Sequence, residues 1–153
     1  MRPCPPPSQE DPVQGIAREC LGLTVRKTAR VLARAYDEAF APLGLKSTQF
    51  PILAALHSMG PTGIGALAEL LALDRTTMPR NLGPLERRGL IRSETGADRR
   101  IRTVLLTGAG EALLQEAMPH WRKLQERLVA AMGGDRAEQL RAGLRDLART
   151  AAG

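Results

Sequence analysis

Aromatic residues are nearly missing from this chain, which has one Trp, one Tyr and two Phe among 153 residues. Proteins that grip single-stranded nucleic acid do so largely by stacking bases on such rings, so that class of partner is disfavoured. Cysteine is as scarce: Cys4 and Cys20 cannot build a disulfide framework and have no histidines at zinc spacing, so no metal site is expected. His57 and His120 fall in different predicted helices without a serine or cysteine pattern beside them. A nucleophilic triad therefore has no basis, and neither a catalytic residue nor a cofactor is expected. No apolar run approaches the ~18 residues of a membrane span. The opening MRPCPPPSQEDP lacks the ~7–15-residue apolar stretch of a secretory signal, so the reading is a soluble, cytoplasmic protein without a membrane partner. A chain of this length holds one domain with a core, which excludes a large enzyme with separate cofactor and substrate domains.

Acidic residues are in the minority, 16 against 22 Lys and Arg, for a net charge of +6. Most of the excess lies between residues 75 and 102, where Arg75, Arg80, Arg87, Arg88, Arg92, Arg99, Arg100 and Arg102 outnumber Glu86, Glu94 and Asp98. A local basic patch is the footprint of a nucleic-acid partner, although a solvated face also carries one. With few rings available for stacking, double-stranded DNA is the nucleic acid of choice.

Residues 1–12 are proline-rich without apolar pattern and read as a disordered tail, leaving 13–153 as a single domain. From Ile16 to Phe40, Leu21, Val25, Ala29, Leu32, Tyr36 and Phe40 recur at helical spacing, and Ile16, Cys20, Leu23 and Val31 add a second apolar side that another chain could cover. Ser47 is placed to cap a second helix carrying Phe50, Leu53, Ala54 and Leu56. A third runs from Ile64 to Leu71 with Leu67, Leu70 and Leu71 inward, and Asp74 is placed to cap a fourth that reaches Arg88 and closes at Gly89. Ile91–Thr95 and Ile101–Leu106 alternate as strands around the polar turn at 96–100, a hairpin with an arginine tip. Thr107 opens a long helix to Met132, interrupted at Pro119, and Asp135 with Glu138 predicts a capping box for a last helix bearing Leu140, Leu144 and Leu147. The fold class is mainly α: a winged helix-turn-helix module, 46–107, with a β-hairpin wing, inside a helical dimerisation frame of 13–45 and 108–153. A major groove ~12 Å wide accepts one helix, and a hairpin beside that helix can reach the backbone or the minor groove.

Gly63-Ile64-Gly65-Ala66-Leu67-Ala68 fits the dinucleotide pattern G-x-G-x-x-A, but no strand is predicted before it and no βαβ unit surrounds it, so that reading is declined.

The stretch IGALAELLALDRTTMPRNLGPLERRGLIRSETGADRRIRTVLLTGAG, with GLKSTQF and RVLARAYD before it, resembles the MarR family of bacterial transcription regulators over about Cys20 to Met118. The resemblance implies a homodimer with interleaved first and last helices. It further implies a pseudo-palindromic operator, commonly repression, and release by a phenolic or other small ligand or by an oxidant. Carried over by position, the base-reading candidates are Arg75, Thr76, Thr77, Arg80 and Asn81, with Asp98, Arg99 and Arg100 at the wing. Arg can be bidentate to guanine, Asn to adenine, and threonine methyls can touch thymine, while a narrow minor groove attracts the wing arginine. Glu86, Arg87 and Arg88 read as a solvated helix end with phosphate contacts. Pro79 departs from the family pattern: with Asp74 as cap it would leave the Arg75 carbonyl unbonded, at ~3 kcal/mol or a kink.

Apolar faces near Cys20, Leu23 and Tyr36, with the His57 face of the second helix, are the expected ligand pocket for a small aromatic or phenolic effector. Trp121 reads as core or dimer packing. Cys20 reads as a buried structural thiol, because its spacing to Tyr36 is about two residues longer than in the family's peroxide-sensing branch, which it otherwise resembles, and Ser47 replaces the second tyrosine. Thiol-based sensing through Cys20, and a protein-interaction module that has lost operator binding, are the alternatives.

Overall fold

Cys20 interrupts the first helix. The computed structural model describes residues 16, 19–74, 76–95 and 102–153, and in it Ile16 and Glu19 are helical but Cys20 is extended, with φ −70° and ψ 106°. The helix expected to run unbroken from Ile16 therefore restarts as α1, Leu21–Phe40, with the Cys20 sulfur accepting the Leu23 amide at 3.4 Å in the manner of a serine cap. A 3-10 turn, Ala41–Leu43, holds Pro42 where its missing amide is harmless, and Gly44 closes it in the left-handed region at φ 59°.

Helix α2 spans Phe50–Met59 and is not capped by Ser47. The Ser47 amide donates instead to Asp37 Oδ1 on α1 at 2.7 Å, and the Gln49 side chain accepts the Lys46 amide at 3.0 Å, so the entry to α2 is set by a turn tied to α1. Two residues then pair as a strand, β1, Thr62–Gly63, before α3, Ile64–Leu70. No sequence signal predicts this strand, yet it pairs antiparallel within a winged module and builds no βαβ unit, so the dinucleotide pattern gains nothing from it. Leu67 faces the core as expected, but Leu70 is 56% exposed.

Helix α4, Met78–Arg87, begins three residues later than an Asp74 cap would place it. The Asp74 carbonyl accepts from the amides of Thr77 (2.9 Å) and Met78 (3.2 Å), a turn ahead of the helix. Pro79 thereby sits in the first helical turn, where no amide is needed, and the kink expected there does not arise. The interior proline is Pro84, which deprives the Arg80 carbonyl of its partner. Strands β2, Ile91–Thr95, and β3, Arg102–Leu106, pair antiparallel from Ile91↔Leu106 to Thr95↔Arg102, with β1 on the far side of β3.

Helix α5, Gly108–Met132, passes through Pro119 without ending, contrary to the expected interruption. Its Thr107 cap accepts the Gly110 amide at 3.1 Å and donates to the Gly89 carbonyl at 2.6 Å, joining the end of α4 to the start of α5. Helix α6, Gly134–Ala152, starts at a Gly133 cap, which puts Asp135 inside the first turn and leaves no capping box, and Glu138 pairs instead with Arg141 (2.7 Å) and Arg145 (3.4 Å).

The core is Phe40, Leu45, Ile52, Leu53, Leu56, Leu67, Met78, Leu82, Leu85, Ile91, Val104 and Leu114, drawn from the end of α1, the winged module and the first half of α5. Fully burying each such aliphatic side chain contributes ~1.5–3 kcal/mol. The frame is different. Leu21, Val25 and Val31 on α1, Met132 on α5, and Leu140 and Leu144 on α6 are exposed, and the single buried residue of α6 is Ala137. Among the described residues no helix is long and apolar enough to cross a membrane.

Candidate nucleic-acid interface and aromatic cleft

Helix α4 is strongly two-sided. Met78, Leu82 and Leu85, at helical spacing, are buried, and the opposite face exposes Arg80 and Arg87. Thr76 is exposed just before the helix, Thr77 is its half-buried cap, and Asn81 is half buried with its amide 3.5 Å from the Thr77 carbonyl. Of the sequence-derived base readers, Thr76, Thr77, Arg80 and Asn81 thus gather at one end of α4. Arg75, Asp98, Arg99 and Arg100 lie outside the described residues.

Two side chains read from sequence as solvated have other duties. Glu86 accepts the Ser93 hydroxyl of β2 and the Arg102 guanidinium of β3, the latter at 2.7 Å, so it fastens α4 to both strands of the wing. Arg88 donates to the carbonyls of Gly44 (2.7 Å) and Leu43 (3.1 Å), locking the end of α4 to the 3-10 turn that follows α1. Hydrophobic periodicity finds helix faces but carries no signal for such cross-element bonds.

Between α1, α2 and α5 lies a cleft of about 430 Å³ lined by Tyr36, Phe40, Ser47, Phe50, Pro51, Ala54 and Trp121. Every aromatic residue of the chain is on that lining. Tyr36 stacks on Phe40 with centroids 6.0 Å apart, and Phe40 on Phe50 at 4.8 Å. The Gln125 amide donates to the Tyr36 hydroxyl, and burial raises the pKa of that phenol, so it stays protonated at neutral pH. The size falls within the ~300–1,000 Å³ of small-molecule sites.

Only Tyr36 of the four expected pocket residues lines this cleft. Cys20 and Leu23 sit near the other end of α1, which at 1.5 Å per residue puts them roughly 24 and 20 Å from Tyr36. His57 lines a separate hollow of about 220 Å³ beside the sheet, where its Nδ1 meets Glu111 Oε2 at 2.8 Å. Sequence reasoning missed Phe40, Phe50, Pro51 and Trp121 as cleft residues. Their one signal in the sequence is scarcity: four rings in the whole chain, placed on helices that a winged module must bring together.

A family model described as MarR family matches residues 43–101, the winged module. The structure is similar to that of the M. tuberculosis transcriptional regulator MosR in complex with DNA, at 38% identity and a TM-score of 0.81, over 88% of this chain and 97% of that one. It is also similar to the transcriptional repressor CouR bound to a 23-mer DNA duplex, at 26% identity and a TM-score of 0.79, over 88% and 96% of the two chains. CouR has likewise been solved bound to p-coumaroyl-CoA. The HTH-type transcriptional regulator YwoH of Bacillus subtilis is 29% identical over 106 residues, 69% of this chain and 77% of that protein.

Proposed function

This chain belongs to the MarR family of DNA-binding transcription regulators, and from that premise we propose that it is a homodimeric repressor released from a pseudo-palindromic operator by a small ligand. The observation that carries the DNA half of this reading is α4, with its buried inner face, its outward Arg80 and Arg87, and its attachment through Glu86 to the wing. Arg75, Thr76, Thr77, Arg80 and Asn81 read bases in a major groove, while Arg99 and Arg100, with Asp98, serve the wing. The dimer reading is supported by the unburied Leu21, Val25 and Val31 of α1 and Leu140 and Leu144 of α6, apolar surface that a second copy would cover. The domain division follows: 13–45 and 108–153 as dimerisation frame, 46–107 as DNA-binding module, acting in the cytoplasm.

The effector half rests on the aromatic cleft, which touches α1 and α5 of the frame and α2 of the module. A ligand there shifts the distance between two recognition helices only by its differential affinity for the two arrangements. The test is operator binding by the full chain, with and without aromatic compounds. Retained binding with every compound that occupies the cleft would contradict release from this site.

A second reading, thiol sensing, is favoured by one observation: the Cys20 sulfur is partly exposed and accepts an amide at the start of α1. Peroxide release that disappears in Cys20→Ser would establish it in place of the ligand.

A further inference from the structure

We infer that the aromatic cleft selects an uncharged planar aromatic compound bearing a hydrogen-bond acceptor, such as an ester, ketone or lactone, and rejects the corresponding carboxylate. This rests on the reading of the cleft as the effector site and narrows its ligand class.

Tyr36, Phe40, Phe50 and Trp121 supply ring faces and edges, Pro51 and Ala54 supply aliphatic wall, and among the described residues none on the lining is charged. Two polar groups remain. The Tyr36 hydroxyl already accepts from Gln125, so its own proton is the group available to a ligand, and a neutral acceptor oxygen is what it can satisfy. The Ser47 amide donates to Asp37 Oδ1 at 2.7 Å, which sets the Ser47 side chain beside that carboxylate. That bond from the backbone amide, with the Ser47 hydroxyl and the Lys46 charge, holds the Asp37 carboxyl below its ordinary range and therefore ionised at neutral pH. Asp37 is itself outside the lining, so its charge adds only a longer-range repulsion to an anionic ligand beside Ser47. Lys46 is exposed and is absent from the lining. The α5 cations Lys123 and Arg127 line a different hollow with His120 and Glu38. A carboxylate drawn into the aromatic cleft would lose its water and find no cation, which disfavours it strongly.

The experiment compares methyl cinnamate with cinnamate at pH 7, binding to the full chain. It is read by calorimetry and by the fluorescence of Trp121, the only tryptophan and itself part of the lining. The ester is expected to bind about tenfold more tightly than the acid, or better. Tyr36→Phe should weaken the ester about threefold to tenfold while leaving β-methylstyrene, which lacks the acceptor, unchanged. Ala54→Leu, at a half-buried lining position packed against the core, should fill the cleft and abolish the Trp121 response to both, with urea unfolding of the variant confirming that it folds. Equal or tighter binding of the acid, or an ester affinity indifferent to Tyr36→Phe, overturns the ligand class. Failure of both compounds to bind overturns the class and the effector-site reading together. Tighter ester binding that leaves operator affinity unaltered upholds the class and overturns the regulatory reading alone.

Discussion

Glu86 on α4 accepts the Arg102 guanidinium of β3 at 2.7 Å, and the same carboxylate oxygen takes the Ser93 hydroxyl of β2. The helix that would enter a major groove and the hairpin that would flank it are held by one side chain. Because this ion pair is partly exposed, Glu86→Ala should lower stability by less than about 1 kcal/mol. Operator affinity should fall more, about threefold to tenfold, through lost alignment. The salt dependence should stay the same, since Glu86 neutralises no phosphate. A titration at several salt concentrations checks both, and unchanged affinity would show that the wing is positioned without this bond.

Gly110 is packed too closely for any side chain. A Cβ there would lie 2.0 Å from the Leu90 carbonyl oxygen and 2.6 Å from Leu106 Cδ1, where α5 crosses the start of the hairpin. Gly110→Ala should destabilise by about 2–3 kcal/mol or prevent folding, whereas Gly108→Ala, with open space around it, should be nearly neutral. Urea unfolding of the two variants separates them.

Arg80→Ala should weaken operator binding by about 1–3 kcal/mol and relax the preference at one base pair of each half-site. Pro79→Thr should change neither affinity nor the selected site, because Pro79 occupies a first-turn position that requires no amide. Selection from a randomised duplex pool tests both expectations at once.

Asp37 links α1 to the entry of α2 through the Ser47 amide, and its pKa is lowered by that bond. The bond therefore stabilises the fold above the unfolded carboxylate pKa of ~3.9, and this contribution is lost as pH falls through the lower folded value. Asp37→Asn should be less stable than the parent at neutral pH, with the difference shrinking in acid. A constant difference from pH 7 to pH 3 would contradict it.

Much of this was legible in the residues. Helical spacing placed the buried Met78, Leu82 and Leu85 on one face of α4, and alternation located both hairpin strands, because local burial imposes a period on sequence. What escaped depends on competition or distance. Asp74 has the side chain of a cap, yet Pro79 fits the first turn of a helix that starts at Met78, so the proline decided the start. Asp135 and Glu138 have capping-box spacing, but the helix already begins at Gly134, so Asp135 is not its cap and Glu138 pairs with arginines one and two turns on. Strand β1 is two residues long, too short for alternation to register. The cleft joins residues from Tyr36 to Trp121, and its lining could not be read from any single helix.

A dimer that presents two α4 helices to one face of a duplex is the centre of this account. Analytical ultracentrifugation of the full chain with its selected duplex at ~0.2 M salt tests it most directly. The expected result is two chains per duplex, half-sites about one helical turn apart, and loss of the complex when that spacing is changed by half a turn. One chain per duplex, or equal binding to any duplex, would contradict it.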